Sequence, residues 1–303
     1  MSEDVLADEV VRRETKRSGL LVFAAPALVM FAAFALLPLV GVIILSFTSW
    51  NGVGPIAWAG LDSWREALSR PTTWSGLWLT LRIIVLSWLV QTPMSILLGT
   101  FLAGQQKYRN FLAILYFLPM LLSSAAIAIT FKTLLDPYFG LSAGLGIPAF
   151  AQDWLGRSDL VWWVLIFIIA WQFIPFHTLI YQGGVRQIPI ELYEAAEVDG
   201  ASRVSQFFSI TLPQLKNTII TSSTLMSVGA LTYFDIIYVL TGGGPGTATR
   251  ILPLDMYITG FRGNEMGVAS CLAVFLVLIG LALALGVQAL GGKDSSSQLE
   301  GAM

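Results

Sequence analysis

Histidine, cysteine and lysine, the residues that most often hold metals, act as nucleophiles or grip phosphate, are scarce in this chain of 303 residues. His177 is the one histidine and Cys271 the one cysteine, too few for a Cys/His metal cluster or a disulfide framework. The lysines are Lys16, Lys107, Lys132, Lys216 and Lys293. A loop that cradles phosphates needs Gly-Lys followed by Ser or Thr; only Lys132 is followed by either, and Phe131 precedes it. The chain therefore has no P-loop with which to bind ATP. The sequence offers neither a nucleophile–base pair nor a set of metal ligands, which makes a membrane enzyme the weakest functional class. A net charge of −2 excludes an electrostatic nucleic-acid binder.

Patterned polar residues lie instead between 183 and 216. The run Arg186-Gln187-Ile188-Pro189-Ile190-Glu191-Leu192-Tyr193-Glu194-Ala195-Ala196-Glu197-Val198-Asp199-Gly200-Ala201 reads as a short helix. Pro189 suits its first position, and Glu191 and Glu194 suit the positive end of its dipole. Gly200 ends it. Leu192, Ala195 and Ala196 share one face at i, i+3 and i+4, where the paired alanines let another surface approach the backbone. A second helix is expected from about Ala201 to Ser209, with Phe207 and Phe208 wedging it against membrane helices, and Pro213 leads into the next apolar run. The same pattern would also suit a helical hairpin lying on the membrane.

The elements that position these residues follow from composition. The chain is 55% hydrophobic and 12% charged, about half the charged share of a soluble domain. Six apolar segments, about 20–47, 76–103, 110–135, 159–182, 217–240 and 264–290, approach or exceed the roughly 20 residues that cross a bilayer. Inside them stand only five charges, Arg82, Lys132, Asp159, Asp235 and Glu265, with Asp235 deepest. Long uninterrupted runs without alternation specify helices, not barrel strands. Kinks are expected at Pro26, Pro38, Pro93, Pro119 and Pro175. The first segment lacks a small-residue cleavage site and reads as a retained helix. Lys and Arg number ten in the loops and tails that share a side with the N-terminus and five in the others, which places both termini in the cytoplasm. Among the outside loops, residues 61–68 read as a short amphipathic helix on the membrane surface beside the turn Trp50–Pro55, and 136–158 forms a similar Gly- and Pro-containing connection. The expected organisation is a tail at 1–19, a six-helix domain at 20–290 and a tail at 291–303.

Glu194-Ala195-Ala196, Gly200 and Ile210-x-Leu212-Pro213 resemble the cytoplasmic loop of the membrane permease subunits of type I ATP-binding-cassette (ABC) importers. Asp199-Gly200-Ala201-Ser202, Phe234-Asp235, Leu240-Thr241-Gly242-Gly243-Gly244-Pro245 and Gly60-Leu61-Asp62-Ser63-Trp64 are similar to the carbohydrate-uptake branch, the maltose-type first permease. Asn217 departs from the family, which often has a second proline there. The resemblance implies an all-α integral membrane fold of six transmembrane helices, with a coupling helix between the fourth and fifth. Glu194, Ala195, Ala196, Asp199, Gly200, Leu212 and Pro213 would then form the ATPase-coupling surface. It also implies a multi-pass protein of the bacterial cytoplasmic membrane with no cofactor and no catalysis of its own. ATP and Mg would be bound by an ABC ATPase dimer. The other partners would be a second permease, an extracytoplasmic solute-binding protein and a carbohydrate.

For the solute pathway, aromatic faces suit pyranose C–H surfaces and polar groups suit hydroxyls. Trp171, Gln172, Phe173, Phe176 and His177 surround Pro175, and Met226, Thr232, Tyr233, Phe234, Asp235 and Tyr238 lie in the fifth segment. The family's sugar-contacting positions fall on Phe173, Phe176, Met226, Gly229, Ala230 and Tyr233, and Asp235 matches a family position beside the Gly-rich turn. Asn-like donors are absent from that set, and the rings would equally serve as packing or lipid-facing residues. His177 fits a hydrogen bond between helices better than a proton relay. Two alternatives stand beside a sugar permease. An ABC permease for glycerol-3-phosphate would need convergent arginines, and only Arg82 lies within a segment. A self-contained secondary transporter would use Asp235 and His177 as ion sites, yet the duplicated halves frequent in such proteins are not evident.

Overall fold

The computed structural model describes residues 23–104, 107–147 and 151–290. The expected tails, with Arg12, Arg13, Lys16, Arg17 and Lys293, lie outside the described residues. Helix α1 (Phe23–Leu45) is apolar along its length. A π-helical turn, Ala32–Leu36, precedes Pro38, with the Leu37 N–H reaching back to the Ala32 carbonyl. Proline lacks a donor and its ring crowds the carbonyl four residues back, so a widened turn accommodates it. The same device recurs before Pro213, where Leu212 N–H bonds the Phe207 carbonyl.

Strands β1 (Thr48–Ser49) and β2 (Ala57–Trp58) pair antiparallel, Thr48 opposite Trp58. Helix α2 (Asp62–Ser69) follows. The expected surface helix is thus present, but it docks on protein. Ser63 Oγ donates to the Thr48 carbonyl (2.9 Å), Trp64 Nε1 donates to Ser46 Oγ (3.2 Å), and Ala67 is buried with Val268, Cys271 and Leu272. Those three residues belong to the last helix, whose first turn holds Gly267. A Cβ there would stand 2.0 Å from the Thr48 carbonyl oxygen, so only glycine allows the approach.

The long helices α3 (Pro71–Leu102) and α7 (Val161–Arg186) form the centre. Between them run α4 (Lys107–Leu121), α5 (Ser124–Leu134) and the short α6 (Leu141–Leu145). The third apolar segment is not one rod: 111–121 and 124–134 meet at 93°. The break comes three residues after Pro119, where Ser123 caps α5 by accepting the Ala126 N–H. After α7 come α8 (Ile190–Val198) and a continuous helix α9 over 203–214 that contains the π-turn Phe207–Thr211. Helix α9 runs five residues beyond the expected Ser209, because the π-turn carries it through Pro213. The fifth segment is α10 (Lys216–Ala230) and α11 (Phe234–Leu240), bent by 45°. No proline marks that bend; the Gly229 carbonyl accepts both the N–H and the hydroxyl of Thr232 and so ends α10. A helix over 252–262 (α12) and α13 (Met266–Ala289) complete the described chain.

Four helices, α1, α3, α7 and α13, are long and apolar enough to cross a membrane, and the count reaches six where each bent pair makes one span. Among the described residues, the main core joins α3, α7 and α11 through Ile83, Ile84, Leu165, Ile168, Ile169 and Ile237. Polar ties join α3 to α10 and to α7: Trp88 Nε1 donates to Ser223 Oγ (2.8 Å), and Ser95 Oγ donates to the Ile174 carbonyl (3.3 Å).

Candidate coupling surface and solute pathway

Helix α8 is closed at its C-terminal end by three consecutive features. Asp199 is the C-cap, Gly200 adopts φ +76°, and the N–H groups of Gly200 and Ala201 bond the carbonyls of Glu197 and Ala196. That is a Schellman closure, and its left-handed residue disfavours any side chain with a Cβ. Pro189, expected at the first helical position, is instead the N-cap, one residue before Ile190. Glu191, Glu194, Ala195 and Asp199 are exposed, Ala196 is half-buried, and Leu192 is exposed beside them. Among the described residues, none of the loop's carboxylates forms a salt bridge.

The hairpin behind that surface is fixed by side chains. Tyr193 and Thr211 share a hydrogen bond of 2.8 Å between hydroxyls, and Gln206 Nε2 donates to the Ala201 carbonyl (3.1 Å). Phe207 and Leu212 pack on Ile96, Tyr181 and Leu215, residues of α3, of α7 and of the α9–α10 junction. Of the two expected wedge residues, Phe207 is the one inserted; Phe208 meets its ring edge-on at 5.1 Å and remains exposed. Pro213, exposed, lies just past the π-turn. Glu194 is thereby mounted on a block that bears directly on α3, α7 and the start of α10.

Deeper in the bundle, Phe173 of α7 and Tyr233, the N-cap of α11, bring their rings to 5.2 Å at 31°. This pair sits at the break between α10 and α11. Met226 and Ala230 are buried on α10, and Gly229 is half-buried with open space where a Cβ would stand, no neighbouring atom lying within 4 Å of that point. Phe176 lies edge-on to His177 at 5.2 Å. His177 Nδ1 and Ser222 Oγ are 2.8 Å apart, the expected link between helices. Asp235, the deepest carboxylate along the apolar runs, is exposed on the described chain. Asp255 of α12 is instead fully buried, and Arg250 Nε donates to its Oδ1 at 2.6 Å.

Phe234 and Tyr238, named from the sequence, join an array whose other members, Tyr257, Phe261 and Arg262, sequence reasoning missed. Phe234 stacks on Tyr238 at 5.2 Å, and Tyr257 meets both at 5.1 and 5.2 Å. Phe261 lies 5.3 Å from Tyr257, and Arg262 Nη2 donates to the Tyr238 hydroxyl (3.3 Å). The spacings 234/238 and 257/261 are each i, i+4, a signal that was available in the sequence. Arg82, the one arginine expected within a span, places its guanidinium 4.6 Å over the Trp162 ring.

The family described as binding-protein-dependent transport system inner membrane component matches residues 91–293. Over 270 residues the chain is 33% identical to the probable ABC transporter permease protein YurN of Bacillus subtilis, covering 87% of this chain and 92% of the relative. It is 29% identical over 279 residues to the trehalose/maltose transport system permease protein MalF of Thermococcus litoralis, with 90% and 93% covered. A bacterial ABC transporter involved in the import of the acidic polysaccharide alginate shares the fold, with TM-score 0.80, 24% identity, and 93% and 98% of the two chains superposed.

Proposed function

The chain belongs to the binding-protein-dependent transport system inner membrane components, and we propose that within this family it is one of two permease halves of an ABC importer for a carbohydrate. It catalyses no chemistry. The energy comes from a partner ATPase dimer that binds ATP and Mg, and the solute arrives on an extracytoplasmic binding protein. A second, similar permease supplies the other half of the pathway. Both termini and α8 face the cytoplasm, a placement supported by the distribution of Lys and Arg along the chain. A carbohydrate is favoured by the names of relatives such as the trehalose/maltose permease and by the ring pair Phe173–Tyr233. The glycerol-3-phosphate alternative is not favoured, since Arg82 is engaged by Trp162.

The observation that carries the coupling role is the exposed, Schellman-capped α8 mounted on Phe207 and Leu212. A short helix presented this way would fit a cleft on the ATPase, with Glu194 meeting a basic group there. Closure of the ATPase pair would push α8, and the hairpin would carry the displacement into α3, α7 and α10 as a rigid body. Replacing Glu194 by Ala removes one charge-assisted bond, so uptake by the assembled transporter is expected to fall by at least about tenfold with membrane abundance unchanged. Uptake at the wild-type rate in that variant would sink the coupling role.

A further inference from the structure

A cavity of about 700 Å³ lies between the α8–α9 hairpin and the ends of α3 and α7, within the roughly 300–1,000 Å³ typical of small-ligand pockets. Thr100 and Ala103 line it from the end of α3, Arg186 from the last turn of α7, Tyr193 from α8, and Arg203 and Gln206 from α9. Two guanidinium groups thus share one cavity, and no carboxylate of the described residues lines it. Arg65, Arg70, Arg157 and Arg250 hold carboxylates, and Arg82 and Arg262 lie over rings. Neither Arg186 nor Arg203 forms an ion pair among the described residues. A bias of basic residues toward the cytoplasmic side accounts for their presence on that side. It does not account for two of them converging on one cavity.

The occupant that suits this lining is an anion with several oxygens. A guanidinium presents a planar fork of donors that grips phosphate oxygens in pairs, with bonds about twice as strong as neutral ones. Gln206 Nε2 uses one of its two N–H groups on the Ala201 carbonyl (3.1 Å) and keeps the other. The C-terminal ends of α3 and α7 each contribute about half a negative charge, which two full positive charges exceed. Depth narrows the source. Helix α3 ends at Leu102 and α7 at Arg186, and both are long and apolar enough to cross a membrane, so the cavity stands at the level of the lipid headgroups. Val185, Ile188 and Ile190 give it an apolar wall. A free phosphate would use the arginines alone, whereas a phospholipid uses the arginines and the wall together.

We infer that this cavity is a phosphate site filled by the headgroup of an anionic phospholipid, which bridges Arg186 of α7 and Arg203 of α9 and so ties the coupling hairpin to the span behind it. The inference rests on the reading that α8 faces the cytoplasm, and the two are tested apart. The assembled permease–ATPase complex, delipidated in a neutral detergent, is melted against increasing phosphatidylglycerol, phosphatidylcholine of the same acyl chains, or inorganic phosphate. Phosphatidylglycerol is expected to raise the melting temperature of the wild type. Phosphatidylcholine, whose choline cation would face two guanidiniums, and inorganic phosphate, which leaves the apolar wall unused, are expected to act more weakly. In Arg186→Gln and in Arg203→Gln the half-saturating concentration of phosphatidylglycerol is expected to rise at least about tenfold, since each loses a charge-assisted bond. Both side chains are exposed, so the melting temperature without lipid is expected to stay at the wild-type value. Arg203→Lys keeps the charge, loses the fork and is expected to fall between. Lys216→Gln removes an exposed charge outside the cavity and is expected to respond as the wild type does. Equal losses in Lys216→Gln and Arg203→Gln would reduce the effect to diffuse surface attraction and overturn the inference. Equal responses to the two lipids overturn it too, and stabilisation by inorganic phosphate with phosphatidylglycerol silent overturns the lipid as occupant. A wild type indifferent to all three leaves no phosphate site. Labelling of Glu197→Cys by an impermeant maleimide added outside intact cells would overturn the cytoplasmic placement of α8, whatever the lipid result.

Discussion

Arg250 and Asp255 show how far a single residue's role depends on what packs over it. The carboxylate of Asp255 is fully buried, Arg250 supplies one bond at 2.6 Å, and Oδ2 has no protein partner among the described residues. Removing the arginine would leave a buried charge with no compensation, and such losses cost about 3–5 kcal/mol. Arg250→Met is therefore expected to lower the melting temperature of the purified protein sharply. Arg250→Met/Asp255→Leu is expected to restore most of it, since two apolar groups remove the charge problem together. A single variant as stable as the wild type would show that the pair contributes nothing. The pair was illegible in the sequence, because Asp255 is buried only when α12 docks on α3, where Leu252 N–H donates to Thr80 Oγ1 across 172 positions. Glu194 was legible for the opposite reason: its helix, its cap and its exposure are all set within a dozen neighbouring residues.

At the scale of elements, the six apolar runs were legible because length and scarcity of charge are local properties, whereas the breaks inside two of them were not. The 93° turn follows Pro119 by three residues, and the 45° bend between α10 and α11 has no proline at all. Helix ends fared better where a residue type enforces a backbone conformation. Gly200 ends α8 at φ +76°, with no heavy atom within 4 Å of where a Cβ would lie, so a substitution there acts through backbone strain alone. The strain is graded by side chain: asparagine tolerates the left-handed region, and other residues meet about 1–2 kcal/mol of opposition. Gly200→Asn is thus expected to retain most uptake in the assembled transporter. Gly200→Val is expected to unwind the closure that fixes the end of α8, lowering uptake while ATP hydrolysis by the partner loses its dependence on solute. Equal uptake in the two variants would show that the Schellman closure does not position the coupling surface.

For the molecule as a whole, the question is whether one chain can move a solute unaided. The sequence holds no Gly-Lys-Ser/Thr loop for phosphate, and the structure adds a geometric observation. Of the aromatic side chains proposed for the pathway, Tyr233 at the α10–α11 break packs directly on Phe173 of α7. A seam packed against itself is one wall and not a channel. Helix α1 is consistent with a chain built to be flanked, since none of the residues in its most apolar stretch is buried by the rest of the described chain. An ion-coupled transporter would instead need Asp235 or His177 as a site that binds and releases a cation. Asp235 is exposed, and His177 is bonded to Ser222 at 2.8 Å. The purified chain alone in liposomes is therefore expected to accumulate no maltose, trehalose or maltotriose above empty liposomes under an imposed proton or sodium gradient. Adding the second permease, the ATPase, the binding protein and ATP on the ATPase side is expected to start uptake of the carried sugar. Gradient-driven uptake by the lone chain would place the energy source inside it, and the division of labour between permease and ATPase would have to be abandoned.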